Sequence, residues 1–149
     1  MEARMKNPAL FLDVNPAIQT MMSLIYQSGI SPELLEYLGL RVGQMNNCEL
    51  CIGQSFLRAE KNSVIKDRIE HVLDWKKSNL FNEAEQAALE LTEVITELKH
   101  RYNSVPDSLW LRVENNYNEK ETAALVLFIS MMNMFTRINV STRQLTADW

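Results

Sequence analysis

The chain has two cysteines, Cys48 and Cys51, and their spacing of three carries the clearest chemical content in the sequence. On a helix, residues three apart have Cα atoms roughly 5 Å apart, a separation that a disulfide accepts. Such a pair could pass between dithiol and disulfide with little backbone movement. Two other readings stay open. Cysteine is among the most buried residue types, so the pair could be two small packing groups. It could also be half of a zinc site, but zinc needs two further ligands, and His71 and His100 sit on different helices with no ligand spacing of their own. No metal and no cofactor are expected.

A thiol attacks as thiolate, and a free cysteine of pKa near 8.5 is only about 3% ionised at pH 7. A helix N-terminus contributes about 0.3–1 kcal/mol, less than roughly one pKa unit. Redox chemistry at Cys48-Glu49-Leu50-Cys51 therefore calls for a neighbouring proton acceptor or cation. Glu36 is the candidate. Its helical angle sets it off the Leu34, Leu38, Val42 stripe, on a face with Gly39, Leu40 and Gly43, where the two glycines leave room for another backbone. If Asn46 and Asn47 turn the chain into an antiparallel helical hairpin, Ser55 stands nearly level with Glu36. Cys51 is then offset from Glu36 by about 9 Å, too far for direct hydrogen bonding. A relay residue or water must bridge the gap, and position 55 is where it would stand. The plainer alternatives are a solvated Glu36 and a packing Ser55.

The elements that must hold these residues read as helical throughout. Pro16 opens a first helix through Ile25, closed by Gly29. Ser31 and Pro32 start a second, running to Met45, and Asn46 and Asn47 break it. Cys48 to about Asn62 forms a third, with both sulfurs in its first turn or so. A fourth begins near Ser63 and buries Ile65, Ile69, Val72 and Leu73 before Trp75. Asn82 with Glu85, and Asn118 with Glu121, have the spacing of capping boxes and open the fifth and seventh helices. Lys99, His100 and Arg101 suit the end of the fifth, and Pro106 and Asp107 start a short sixth through Val113. Ala123 to Ile138 is apolar around nearly its whole circumference, so it is either the central core helix or meets another subunit. Trp75, Trp110 and Trp149 read as packing or interface groups.

With 149 residues, 46% of them hydrophobic, the chain suits one domain, residues 1–149, with its own core. The net charge of −4 and pI near 5.2, with basic residues scattered, argue against a nucleic-acid partner. The first sixteen residues lack the apolar stretch of a signal peptide, and the longest apolar run falls short of about 18 residues. The expectation is a cytoplasmic protein with no membrane partner, in which a pair of cysteines signals redox or metal chemistry.

Glu36, Leu38-Gly39-Leu40-Arg41-Val42, Cys48-Glu49-Leu50-Cys51, the helix start Phe81 to Leu89, and Ile138-Asn139-Val140 together resemble the carboxymuconolactone decarboxylase and alkyl hydroperoxidase D superfamily, over roughly Pro32 to Val140. The resemblance implies an all-α, AhpD-like domain of about six to seven helices, commonly a trimer or hexamer. In peroxide-reducing members it implies that Cys51 attacks peroxide, Cys48 resolves, and Glu36 serves a proton relay, regenerated by a dithiol electron donor. The relay histidine expected four residues after the second cysteine is replaced by Ser55, which has no basic pKa near 7. Leu50 replaces the histidine that some members carry between the cysteines. The implied activity is thus a thiol-dependent peroxidase or disulfide oxidoreductase, with peroxide or disulfide as substrate and a weakened relay. The alternatives are a non-catalytic oligomeric binding protein of the same fold and a decarboxylase-like lyase, a branch that does not rely on the dithiol.

Overall fold

The computed structural model describes residues 2–61, 63–99 and 104–145, and within them the secondary structure is helical, without strands. Eight α-helices follow one another: α1 Pro8–Phe11, α2 Asn15–Tyr26, α3 Pro32–Met45, α4 Glu49–Ala59, α5 Ser63–Ile69, α6 Glu83–Glu97, α7 Asp107–Asn116 and α8 Glu119–Thr142. Two 3-10 turns, Glu70–Val72 and Trp75–Lys77, lie between α5 and α6.

The caps explain most of the starts. Ser31 Oγ accepts from the Leu34 amide, with Pro32 at the first helical position. Asn82 with Glu85, and Asn118 with Glu121, form reciprocal capping boxes at α6 and α8, as their spacing predicts.

The structure departs from the sequence expectation at several ends. Helix α1 was not foreseen: Asn7 caps it with its side-chain oxygen on the Ala9 amide. Cys48 is the N-cap of α4 rather than its first residue, and α4 stops at Ala59. The fourth expected helix is α only to Ile69, after which 3-10 turns carry the chain to Lys77. Helix α6 ends at Glu97 because Leu98 turns left-handed at φ 42, leaving Lys99 beyond the last turn. His100, Arg101 and Trp149 lie outside the described residues.

The centre of the domain is α3, not α8. Leu34, Leu35, Tyr37, Leu38, Leu40 and Val42 are all buried, because α3 is packed on different sides by α4, α5, α6 and α8. Helix α8, at 24 residues, is long and apolar enough to cross a membrane, although the longest unbroken apolar run in the sequence is shorter than a span. In this fold it packs against α2, α3, α6 and α7 with Leu125, Phe128, Ile129 and Met131 inward. Leu127 and Met134 remain 50% and 41% exposed, so part of its apolar surface faces outward.

Asn133 interrupts the apolar run for a structural reason. It is buried, and its amide nitrogen donates to Thr96 Oγ1 and the Ile129 carbonyl, while its oxygen accepts from Asn46 Nδ2 and Arg137 Nη1. Asn46 Nδ2 also reaches Thr136 Oγ1 and the Val42 carbonyl. This network ties the end of α3 to α8, and so fixes where the chain turns toward Cys48.

Candidate functional site

The turn at Asn46 and Asn47 does make α3 and α4 an antiparallel hairpin. Asn47 takes the left-handed conformation at φ 51, and the Cys48 amide donates to the Gly43 carbonyl at 2.9 Å. Gly43 is where the helices close. A Cβ built there would lie 3.3 Å from Cys51 Cβ and 3.5 Å from Ile52 Cγ1, so its missing side chain admits α4. Gly39 does not share this role. A Cβ there would meet Met132 and Phe128 of α8 at 3.7–3.8 Å, ordinary contact distances, and no second backbone approaches it.

Cys48 and Cys51 are joined as a disulfide with Cα atoms 5.2 Å apart. Cys48 is buried, and its Sγ accepts from the Cys51 amide at 3.3 Å. Cys51 is partly exposed and lines a cavity of about 350 Å³ that Cys48 does not reach. The cavity lies between α2, α3, α4 and α8. Ile18, Met22, Leu50, Phe128, Met132 and Phe135 supply its apolar wall.

Glu36 and Ser55 line the same cavity. The group that joins them is one the sequence reading missed, Arg58. Its Nε donates to Glu36 Oε1 and Oε2 at 3.0 and 2.9 Å, and its Nη2 donates to Ser55 Oγ at 3.3 Å. Glu36 is therefore neither a solvated residue nor a free relay carboxylate: both oxygens are held by a guanidinium. Ser55, 2% exposed, is packed in and also hydrogen-bonded. The signal for Arg58 was present, since Glu36 and Arg58 are equidistant in sequence from Asn47, and a hairpin turning there brings them level.

Two further polar residues of the wall bear on the site. Tyr26 sits near the ion pair: partial burial, and next the Glu36 carboxylate, raise its phenol above the ordinary 10.0, with Arg58 pulling the other way. The phenol thus stays protonated at neutral pH. Asn139, on α8, donates from Nδ2 to Cys51 Sγ at 3.6 Å. It was singled out in the sequence only as part of a resemblance, with no role attached.

His71 is exposed in the first 3-10 turn and is not part of the cavity wall. Among the described residues, no group of three His, Cys, Asp or Glu side chains is placed to hold a metal ion. Trp75 and Trp110 act structurally, donating from Nε1 to Glu93 and Glu114.

The sequence pattern of the Carboxymuconolactone decarboxylase family matches residues 16–94, the span that contains Glu36, both cysteines, Ser55 and Arg58. The uncharacterized protein YdfG of Bacillus subtilis (strain 168) is 36% identical over 115 residues, 77% of each chain. Among solved structures, ATU0492 from Agrobacterium tumefaciens, a protein of unknown function proposed to be the antioxidant defence protein AhpD, matches with a TM-score of 0.84 at 18% identity. The match covers 99% of this chain and 100% of that one. An uncharacterized peroxidase-related protein from Silicibacter sp. TM1040 matches at 0.76 and 14% identity, over 92% of this chain and 72% of that one. At these identities the structural likeness is one of fold.

Proposed function

The chain belongs to the carboxymuconolactone decarboxylase family, and on that premise we propose that it is a thiol-dependent peroxidase acting on apolar organic hydroperoxides. The observation that carries this reading is the asymmetry of the cysteine pair. Cys51 opens onto an apolar cavity while its partner Cys48 is buried behind it, the arrangement expected of an attacking and a resolving thiol.

In the proposed cycle, the Cys51 thiolate attacks the outer oxygen of R–O–O–H. The O–O bond breaks, Cys51 becomes a sulfenic acid, and the alkoxide takes a proton from water at the cavity mouth and leaves as the alcohol. The Cys48 thiol then attacks the Cys51 sulfur. An S–S bond forms, the S–O bond breaks, and the hydroxyl leaves with the Cys48 proton as water. Two electrons have passed from dithiol to peroxide, and a dithiol donor returns them by exchange. The apolar wall of Phe128, Met132 and Phe135 favours an organic R group over hydrogen peroxide. With Ser55 and the arginine-held Glu36, the described residues of the site include no histidine and no free carboxylate base, so proton transfer falls to water and turnover is slow.

The proposed protein is a cytoplasmic homo-oligomer, a trimer or hexamer. The outward apolar residues of α8, Leu127 and Met134, support the assembly.

Mass spectrometry of the reduced protein after mild treatment with cumene hydroperoxide tests the function. An intramolecular Cys48–Cys51 disulfide should form and reverse with dithiothreitol. Cys51→Ser should abolish oxidation, and Cys48→Ser should trap Cys51 as sulfenic or sulfinic acid. Thiols that stay reduced, or that only overoxidise in the unaltered protein, would instead favour a non-catalytic binding protein of the same fold.

A further inference from the structure

Asn139 is buried, 6% exposed, and its side-chain amide is used at one end only. Nδ2 donates to Cys51 Sγ at 3.6 Å, whereas Oδ1 is enclosed within the protein and has no hydrogen-bond partner among the described residues. The orientation follows from chemistry: a disulfide sulfur carries no proton and can only accept, so the amide must turn its nitrogen toward it. The oxidised protein thus keeps one weak bond to sulfur and one orphaned buried carbonyl, an arrangement that is destabilising.

Reduction changes what the sulfur can do. As a thiolate, Cys51 accepts a charge-assisted bond from Nδ2, roughly twice as strong as its neutral counterpart. As a neutral thiol it still accepts from Nδ2, and turning the amide over to take the S–H on Oδ1 would only move the Nδ2 donors into the enclosed position. The gain on reduction therefore lies in the thiolate, which Nδ2 bonds better than it bonds the disulfide.

We infer that Asn139 sets the redox poise of the Cys48–Cys51 pair, favouring the dithiol over the disulfide by bonding Cys51 better when it is reduced. This rests on the redox reading of the pair proposed above. Its consequence is a disulfide that its electron donor reduces readily, so the protein returns to the peroxide-reactive state. The amide also raises the thiolate fraction of Cys51 in a site where position 55 supplies no imidazole.

The test equilibrates the protein with reduced and oxidised glutathione at defined ratios at pH 9, above the ordinary thiol pKa of about 8.5, and counts free thiols by alkylation and mass spectrometry. The balanced reaction is dithiol plus oxidised glutathione giving disulfide plus two reduced glutathiones. Asn139→Leu removes both ends of the amide at similar volume and should raise the equilibrium constant for disulfide formation about tenfold, which for this two-electron couple lowers the midpoint by about 30 mV. It should also slow iodoacetamide alkylation of Cys51 at pH 7 severalfold, a change that a packing role alone would not produce. Asn139→Ser is measured alongside it, so that loss of fold in one variant, seen by circular dichroism, leaves the other to decide. If the unaltered protein forms no reversible disulfide in these buffers, the redox reading falls and this inference with it. If it does, and the folded variants titrate at the same midpoint or a higher one, the inference about Asn139 fails alone.

Discussion

Glu36 and Arg58 meet across the α3–α4 hairpin, with both carboxylate oxygens within 3.0 Å of the guanidinium Nε. The pair closes over Ser55, whose hydroxyl accepts from the same guanidinium. A histidine introduced at position 55 would thus face a cation, and the carboxylate that should orient its ring is already engaged. Ser55→His alone should change the stopped-flow rate of Cys51 oxidation by less than about threefold. The double variant Ser55→His with Arg58→Ala should raise it by on the order of 10²-fold, because general base assistance by a positioned imidazole is typically worth 10² to 10⁴. Adding Glu36→Gln to the double variant should remove most of that gain. Equal rates in all of them would show that the Glu36, Ser55 corner does not serve the dithiol.

The two glycines of α3 should respond differently to alanine. Gly43→Ala places a methyl 3.3 Å from Cys51 Cβ and against the backbone of Ile52, so α4 must shift. A loss of about 1–3 kcal/mol in denaturant unfolding is expected, with slower closure of the disulfide. Gly39→Ala, meeting side chains at 3.7 Å or more, should keep the fold and gain a few tenths of a kcal/mol in helix propensity.

Asn133→Leu should cost about 2–4 kcal/mol by urea unfolding, although leucine suits a buried position. It removes the group that joins Asn46, Thr96 and Arg137 and takes the Asn133 donor from the buried Thr96 hydroxyl, and losing bonds to buried polar groups is costly. A variant as stable as the parent would mean that the network does not hold the turn before Cys48.

Glu93 gives the protein an acid-sensitive term. Burial pushes its carboxyl up, but hydrogen bonds from Lys76 and Trp75 and the charge of Arg41 outweigh this and hold it below its ordinary 4.5. A depressed carboxylate stabilises the fold fully above the unfolded value of 4.5 and loses that contribution as pH falls through the lower folded value. Thermal unfolding between pH 6 and pH 3 should show a steeper acid-side loss for the parent than for Glu93→Gln. The variant should itself be less stable at pH 7 by about 1–3 kcal/mol, because Arg41 and Lys76 lose their counter-charge.

The outward face of α8 should carry the assembly. Light scattering of the parent is expected to give a trimer or hexamer at micromolar concentration, and Leu127→Glu with Met134→Glu should yield a smaller species of unchanged helicity. A monomeric parent would remove the oligomer from the proposal.

By itself the sequence determined the helical class, both capping boxes, the hairpin after Met45 and the cysteine pair. Each depends on residues close in sequence, where periodicity, caps and an i, i+3 separation dictate the geometry. It also placed Glu36 and Ser55 on the surface that faces the pair. Tertiary structure alone decided which helix is central, because α3 and α8 are both apolar and only burial tells them apart: the leucines and Val42 of α3 are enclosed, whereas Leu127 and Met134 of α8 face outward. It closed the Glu36–Arg58 ion pair, whose level placing the hairpin register already implied but whose contact exists because Gly43 lets two helices touch. And it brought Asn139, 88 residues beyond Cys51, to within 3.6 Å of its sulfur. No local pattern encodes that approach: it follows from packing α8 across the α3–α4 hairpin, where the Asn46 and Asn133 amides fix its register.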